Sequence, residues 1–152
     1  MVNISSSYDY SGKDVEVAYE LEAGGSYTIS GDLNLGVNNV QLRGNKVNHA
    51  KVTFTGSGAI VSSGGGMALK FIDFDCDVVS KGSFVKFGDV PEEIKGMNSY
   101  GIVTNPMIIQ SCEIRNVRHY LVNINGKKYA IQNFIVRDCL IKFYQDAEIF
   151  NF

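Results

Sequence analysis

The sequence predicts an all-β chain wound as a right-handed parallel β-helix, a solenoid of about five coils. Three observations carry this expectation. The composition favours strands joined by tight turns: 16 Gly stand against 2 Pro, with 9 Phe, 8 Tyr and no Trp among 152 residues, and helix formers are sparse. One strand motif recurs along the chain. A second, different strand recurs between its copies, always in the same order, which unrelated apolar runs would not do.

The opening coil is read from alternation. Val17, Tyr19 and Leu21 alternate, Ala23-Gly24-Gly25-Ser26 turns, Tyr27 and Ile29 alternate, and Gly31-Asp32 turns into Leu33 and Leu35. The first motif is Met107-Ile108-Ile109-Gln110-Ser111-Cys112-Glu113-Ile114, repeated as Phe134-Ile135-Val136-Arg137-Asp138-Cys139-Leu140-Ile141, 27 residues on. Earlier copies are Leu69 to Cys76, offset by 38, and Val40 to Asn45, offset by a further 29. The second motif reads Ser83-Phe84-Val85-Lys86-Phe87, Tyr120-Leu121-Val122-Asn123-Ile124 and Glu148-Ile149-Phe150-Asn151-Phe152, with Ala59 to Ser63 as its earliest version.

One coil cannot bury its own apolar face, so copies must stack at the ~4.8 Å strand spacing. Leu69, Phe71, Phe74 and Cys76 are then expected inward, above Met107, Ile109, Cys112 and Ile114. The alternation slips at Asp73, Ser111 and Asp138, where a bend is expected. Cys112 and Cys139 stack as buried thiols, and the three cysteines read as free and structural. The runner-up architecture is an antiparallel β-sandwich.

Two irregularities interrupt the repeat. The segment Gly88–Asn105, bracketed by Pro91 and Pro106, is an inserted loop in which Pro91 to Lys95 can make one helical turn. The last strand copy runs out at Phe152. Residues 1–152 are therefore expected to be a single β-helix domain that stacks end to end with another chain, or a piece of a longer solenoid.

Bulk properties narrow the function. A formal net charge of −2 gives no overall electrostatic footprint for nucleic acid. No apolar run approaches the ~18 residues of a spanning helix, so no membrane insertion is expected, and no signal-peptide pattern opens the chain.

Each chemistry-bearing residue also has a structural reading. Asp73, Asp75 and Asp77 open like an EF-hand loop, but Val78 stands at the glycine position and Phe84 at the glutamate position. His49 and His119 have no partner at metal-ligand spacing, and Gly64-Gly65-Gly66 precedes a strand, as a tight turn does and a phosphate loop does not. On the expected register Glu113 lies beside Asp75, and Arg115 beside Asp77. Asp75, Asp77, Glu113 and Arg115 are thus the candidate ligand face, walled by the inserted loop. Asp75, Asp77 and Glu113 are a weak calcium set if they converge; no other cofactor is expected. Charge-matched neighbours on one face also describe an ordinary solvated ladder. Tyr100, Tyr120, Tyr129 and Tyr144 lie in the loop or near turns, where exposed rings can stack on sugars.

The segment Tyr19 to Gly44 (YELEAGGSYTISGDLNLGVNNVQLRG), with the recurring small-polar-Cys-x-Ile strand, resembles the pectin-lyase-like β-helix superfamily. More narrowly, it is similar to β-helix modules of bacterial surface proteins associated with polysaccharide use. The resemblance covers roughly residues 15–152 and lacks the superfamily's lyase signatures and its paired-Asp hydrolase pattern. It implies a secreted or cell-surface module that binds or displays carbohydrate without catalysis. Its alternatives are a polysaccharide lyase or hydrolase acting on acidic polysaccharide, and a spacer in a longer β-helix.

Overall fold

In the computed structural model, which describes residues 17–55, 58–76, 83–124, 126–144 and 147–151, the chain is a right-handed parallel β-helix of five coils. Each coil contributes one short strand to each of three sheets. The first coil holds β1 (Val17–Glu20), β2 (Ser26–Ile29) and β3 (Leu33–Gly36). The second holds β4 (Val40–Arg43), β5 (Ala50–Phe54) and β6 (Ile60–Ser62). The third holds β7 (Met67–Lys70), β8 (Ile72–Asp75) and β9 (Val85–Phe87). Two 3-10 turns, Glu92–Ile94 and Met97–Ser99, and the strand β10 (Gly101–Val103) form the insertion. The fourth coil holds β11 (Met107–Gln110), β12 (Glu113–Val117), β13 (Tyr120–Asn123) and an extra strand β14 (Tyr129–Ile131). The fifth holds β15 (Phe134–Arg137), β16 (Leu140–Phe143) and β17 (Glu148–Asn151).

Sheet A runs β1-β4-β7-β11-β15, sheet B β2-β5-β8-β12-β16 and sheet C β3-β6-β9-β13-β17, while β10 pairs with β14 in a small fourth sheet. Every ladder between named strands is parallel, which removes the antiparallel sandwich. Met67 faces Val40, and Phe134 faces Met107, each across a step of 27 residues.

In sheets A and B the third coil sits two residues away from its expected frame, while in sheet C Val85 keeps its expected partner Val122 and Ile60 pairs with Val85 instead of Phe84. Met107 pairs with Met67 and Ile109 with Leu69, a step of 40 residues instead of 38, and the step before it is 27 instead of 29. Phe71 consequently does not point into the core. It occupies the corner between sheets A and B with a left-handed backbone (φ 58°), in one column with Ser111 (φ 51°) and Asp138 (φ 54°). The bend falls at Phe71, not at Asp73. The corner amides continue the ladder: Gly44 N–H donates to Lys70 O at 2.9 Å, Phe71 N–H to Gln110 O at 3.2 Å, and Ser111 N–H to Arg137 O at 3.1 Å. The corner thus turns the chain in one residue without orphaning a donor. Gly44 completes the column, and a Cβ there would strike the Phe71 carbonyl oxygen.

The core follows from the pleat. Strands β2, β3, β4, β5, β7 and β8 alternate buried and more exposed residues, and the buried sets from all three sheets meet along the axis. Phe54, Phe74 and Phe84 form its aromatic centre, with Phe74 edge-on to Phe84 at 4.9 Å between ring centroids. Ile72, rather than the expected Phe74, shares the column of Cys112 and Cys139. In the fifth coil the core-facing side chains open up: Phe150 is 40 % exposed against 1 % for Val122, its register partner.

The insertion lies over the turns from sheet C to sheet A. Tyr129 donates its hydroxyl to Gly88 O at 3.2 Å and Asp89 O at 3.1 Å, and Ile94 reaches Gly64. Pro91 caps the first 3-10 turn, where the sequence placed a helical turn.

Burial pushes the Cys76 and Cys112 thiols from 9.0 up to about 12. The unfolded chain releases these protons above pH 9 and the native chain holds them to about 12. Stability is therefore full below pH 9 and falls as pH rises from there toward 12. Urea unfolding across this window is expected to show the decline, and Cys76→Ala/Cys112→Ala to flatten it. Ile109, fully buried, should cost ~2–5 kcal/mol on truncation to Ala, while exposed Thr53→Ala stays within ~0.5 kcal/mol. Gly44→Ala should destabilise more than Thr53→Ala in the same assay, because backbone and not a pliable side chain blocks the new methyl.

Candidate functional site

The outward face of sheet B is built from two columns. One runs Ser26, Lys51, Asp73, Glu113, Leu140, and the other Thr28, Thr53, Asp75, Arg115. Parallel pairing sets their order, and strand rigidity fixes their spacing. Glu113 lies beside Asp73 and Arg115 beside Asp75. The expected neighbours, Asp75 for Glu113 and Asp77 for Arg115, are each displaced by the two-residue frame. Asp77 lies outside the described residues.

A broad, open groove of about 520 Å³ crosses this face, from the second coil to the fifth. Its floor includes Lys51, Asp73, Glu113 and Leu140, and the corner residues Ser111 and Asp138 edge it. The inserted loop contributes nothing to its lining. The wall is instead the long corner of the second coil, where Val47, Asn48 and His49 rise beside the face. That corner is shaped by Asn45, whose side-chain oxygen accepts from the amides of Val47 at 2.9 Å and Asn48 at 3.0 Å.

The groove's charges hold one another. His49 Nδ1 lies 2.8 Å from Asp73 Oδ1. Lys142 Nζ donates to Glu113 Oε1 at 3.1 Å, and Arg115 Nε lies 3.7 Å from the same oxygen. Asn116 Nδ2 donates to Asp75 Oδ1 at 2.8 Å. Asn116 reaches back because β12 bulges there, with Asn116 at φ 61°. Asp75 and Glu113 thus stand in different columns with different partners. Among the described residues no group of three His, Cys, Asp or Glu side chains gathers around a common metal position.

His49 and Ser111 occupy the same corner column, but Phe71 stands between them, with its ring 6.1 Å from the imidazole. Two coil spacings, ~10 Å, separate the histidine from the serine, too far for a nucleophile and its base. His119 stacks on Tyr120 at 4.1 Å, and Arg118 covers the Tyr144 ring at 3.9 Å. Tyr129 is buried, and burial, with Asp89 nearby, pushes its phenol up to about 12. Tyr100 is 44 % exposed on the insertion, away from the groove.

Sequence reasoning found this face but missed His49, Lys51, Asp73 and Asp138 as its groove residues. The legible signal was the Asn45 turn, which adds residues to one corner and so lifts its side chains over the neighbouring strands.

Comparison with curated proteins and with solved structures returns no match. Residues 25–152, from the turn before β2 through the fifth coil, match the family described as a domain of unknown function (DUF4957), and the chain belongs to that family.

Proposed function

We propose that this protein is a non-catalytic β-helix module that holds a carbohydrate chain in the sheet B groove. The observation that carries the reading is the groove itself. It is long and open, and the two carboxylates on its floor, Asp73 and Glu113, are already held by His49 and Lys142. A flexible polyhydroxylated chain loses much entropy on binding, so a face whose side chains are ordered beforehand offsets part of that cost. Paired carboxylates keep free lone pairs for sugar hydroxyls, while Lys51 supplies donors without a carboxylate partner among the described residues. Because His49 covers Asp73, and Lys142 and Arg115 cover Glu113, a neutral glycan fits the groove better than a strongly ionic one. Display at a bacterial surface is part of the proposal and rests on the sequence resemblance.

Glycan-array screening followed by calorimetry tests the reading. A neutral polysaccharide or its oligomers should bind, and Asp73→Ala/Glu113→Ala should weaken binding ~10- to 100-fold, the worth of two hydrogen bonds of ~1 kcal/mol each. Unsaturated uronide products from an acidic polysaccharide would instead assign a lyase, and silence in every assay would favour a spacer.

A further inference from the structure

We infer that the outward face of sheet A is a second binding surface, built for a linear anionic polysaccharide. It does not rest on the sheet B reading. The outer column of sheet A runs Glu20, Arg43, Lys70, Gln110, Arg137 in register. Arg43 and Lys70 are direct partners on adjacent strands, about one strand spacing apart. Like charges in that arrangement repel and destabilise a sheet.

The other faces give their charges partners: even the like-charged register neighbours Asp73 and Glu113 on sheet B have His49 Nδ1 at 2.8 Å and Lys142 Nζ at 3.1 Å. On sheet B, Lys51 sits opposite Asp73 and Arg115 opposite Asp75; on sheet C, Lys86 lies 3.0 Å from Asp32. Among the described residues, Arg43, Lys70 and Arg137 form no ion pair. Arg137 donates to Gln110 Oε1 at 2.8 Å, which lays its guanidinium along the row and keeps its charge. Glu20 flanks one end only. A chain of net charge −2 therefore concentrates unpaired cations along one straight line.

The shape beside that line indicates the polymer. The neighbouring outward column is Ala18, Gln41, Ala68, Ile108, Ile135, a shelf without aromatic rings. Two shallow hollows flank the row, about 250 Å³ beside Lys70 and about 280 Å³ beside Arg43 and Lys46. Single-stranded nucleic acid needs aromatic platforms for its bases, and this shelf has none. Sugar rings present aliphatic C–H faces that lie on Ala and Ile side chains, with a carboxylate or sulfate on each repeat turned to the cations.

Affinity electrophoresis and calorimetry with heparin (sulfated) and polygalacturonate (carboxylated) as probes, dextran as the neutral control and poly(U) as the nucleic-acid arm decide it. The protein should bind at least one of the two anionic polysaccharides and bind poly(U) less well. That binding should weaken by about tenfold or more in Arg43→Gln/Lys70→Gln, the scale of two lost charge-assisted contacts. It should also fall as salt rises through the range that screens surface charge. Lys51→Gln, on the other face, should leave it unchanged, and Asp73→Ala/Glu113→Ala should affect only the sheet B ligand. Thermal unfolding of the double variant should match or exceed that of the parent, since a like-charge contact is removed. Failure to bind either polymer, undiminished binding by the double variant, equal weakening by Lys51→Gln, or tighter binding of poly(U) would overturn the inference.

Discussion

No strand of this protein can complete its hydrogen bonds within its own coil. Backbone donors and acceptors point along the axis, so each coil is satisfied only by the coils above and below it. Register is thereby shared. A slip of one strand would strand buried amides worth several kcal/mol unless the connections beside it take up the difference. The corner between sheets A and B shows how strictly this binds. Three non-glycine residues accept left-handed backbone there, at ~1–2 kcal/mol each. In return the Phe71 and Ser111 amides, like that of Gly44, reach the carbonyl one coil on.

The same constraint decides where variation is tolerated. Extra residues can enter only between strands, where they leave the ladder intact. The third coil takes its long insertion between sheets C and A, folds it into two 3-10 turns and a strand, and pins it with the Tyr129 hydroxyl. The second coil takes its extra residues at the corner between sheets A and B, and those residues wall the groove. A bulge does the rest, turning Asn116 onto Asp75. Site geometry here comes from departures from the repeat, while the repeat itself supplies rigidity.

The coil count, the sheet order and the inward residues of the fourth coil were legible because they depend on alternation and recurrence, which short strands preserve. The third-coil frame was not. A strand's side chains repeat every two residues, so a two-residue slip keeps inward residues inward and leaves the pattern nearly undisturbed. Only the corner breaks the tie. There the sequence reading placed Asp73, a small polar residue of the kind that favours left-handed backbone, in line with Ser111 and Asp138. The chain uses Phe71 instead, whose ring packs near His49. Tertiary contact outweighed local preference at that residue, and the third-coil neighbours of Glu113 and Arg115 moved with it. Leu69, Phe74 and Cys76 stayed inward, Ile72 took the inward place expected of Phe71, and the pairing on the outer face moved.

That asymmetry between inward and outward residues bears on recognition. Inside, nearly all side chains are apolar, with Ser62 a buried exception, and one column resembles another. Outside, the sign of each residue is free, and the fold converts the order of signs along the chain into a pattern along the axis. Where successive coils alternate in sign, as at Lys51 and Asp73 or Asp75 and Arg115, the face neutralises itself and presents hydrogen-bonding groups. Where they agree, as at Arg43 and Lys70, the repulsion is left for solvent ions or a ligand to relieve. Counterions relieve it only partly, because each must be held against its own translational entropy. A polymer with charges already linked in a row brings several at once, and loses that entropy once. Two faces of one solenoid can therefore prefer chemically different chains with no change to the core that supports them.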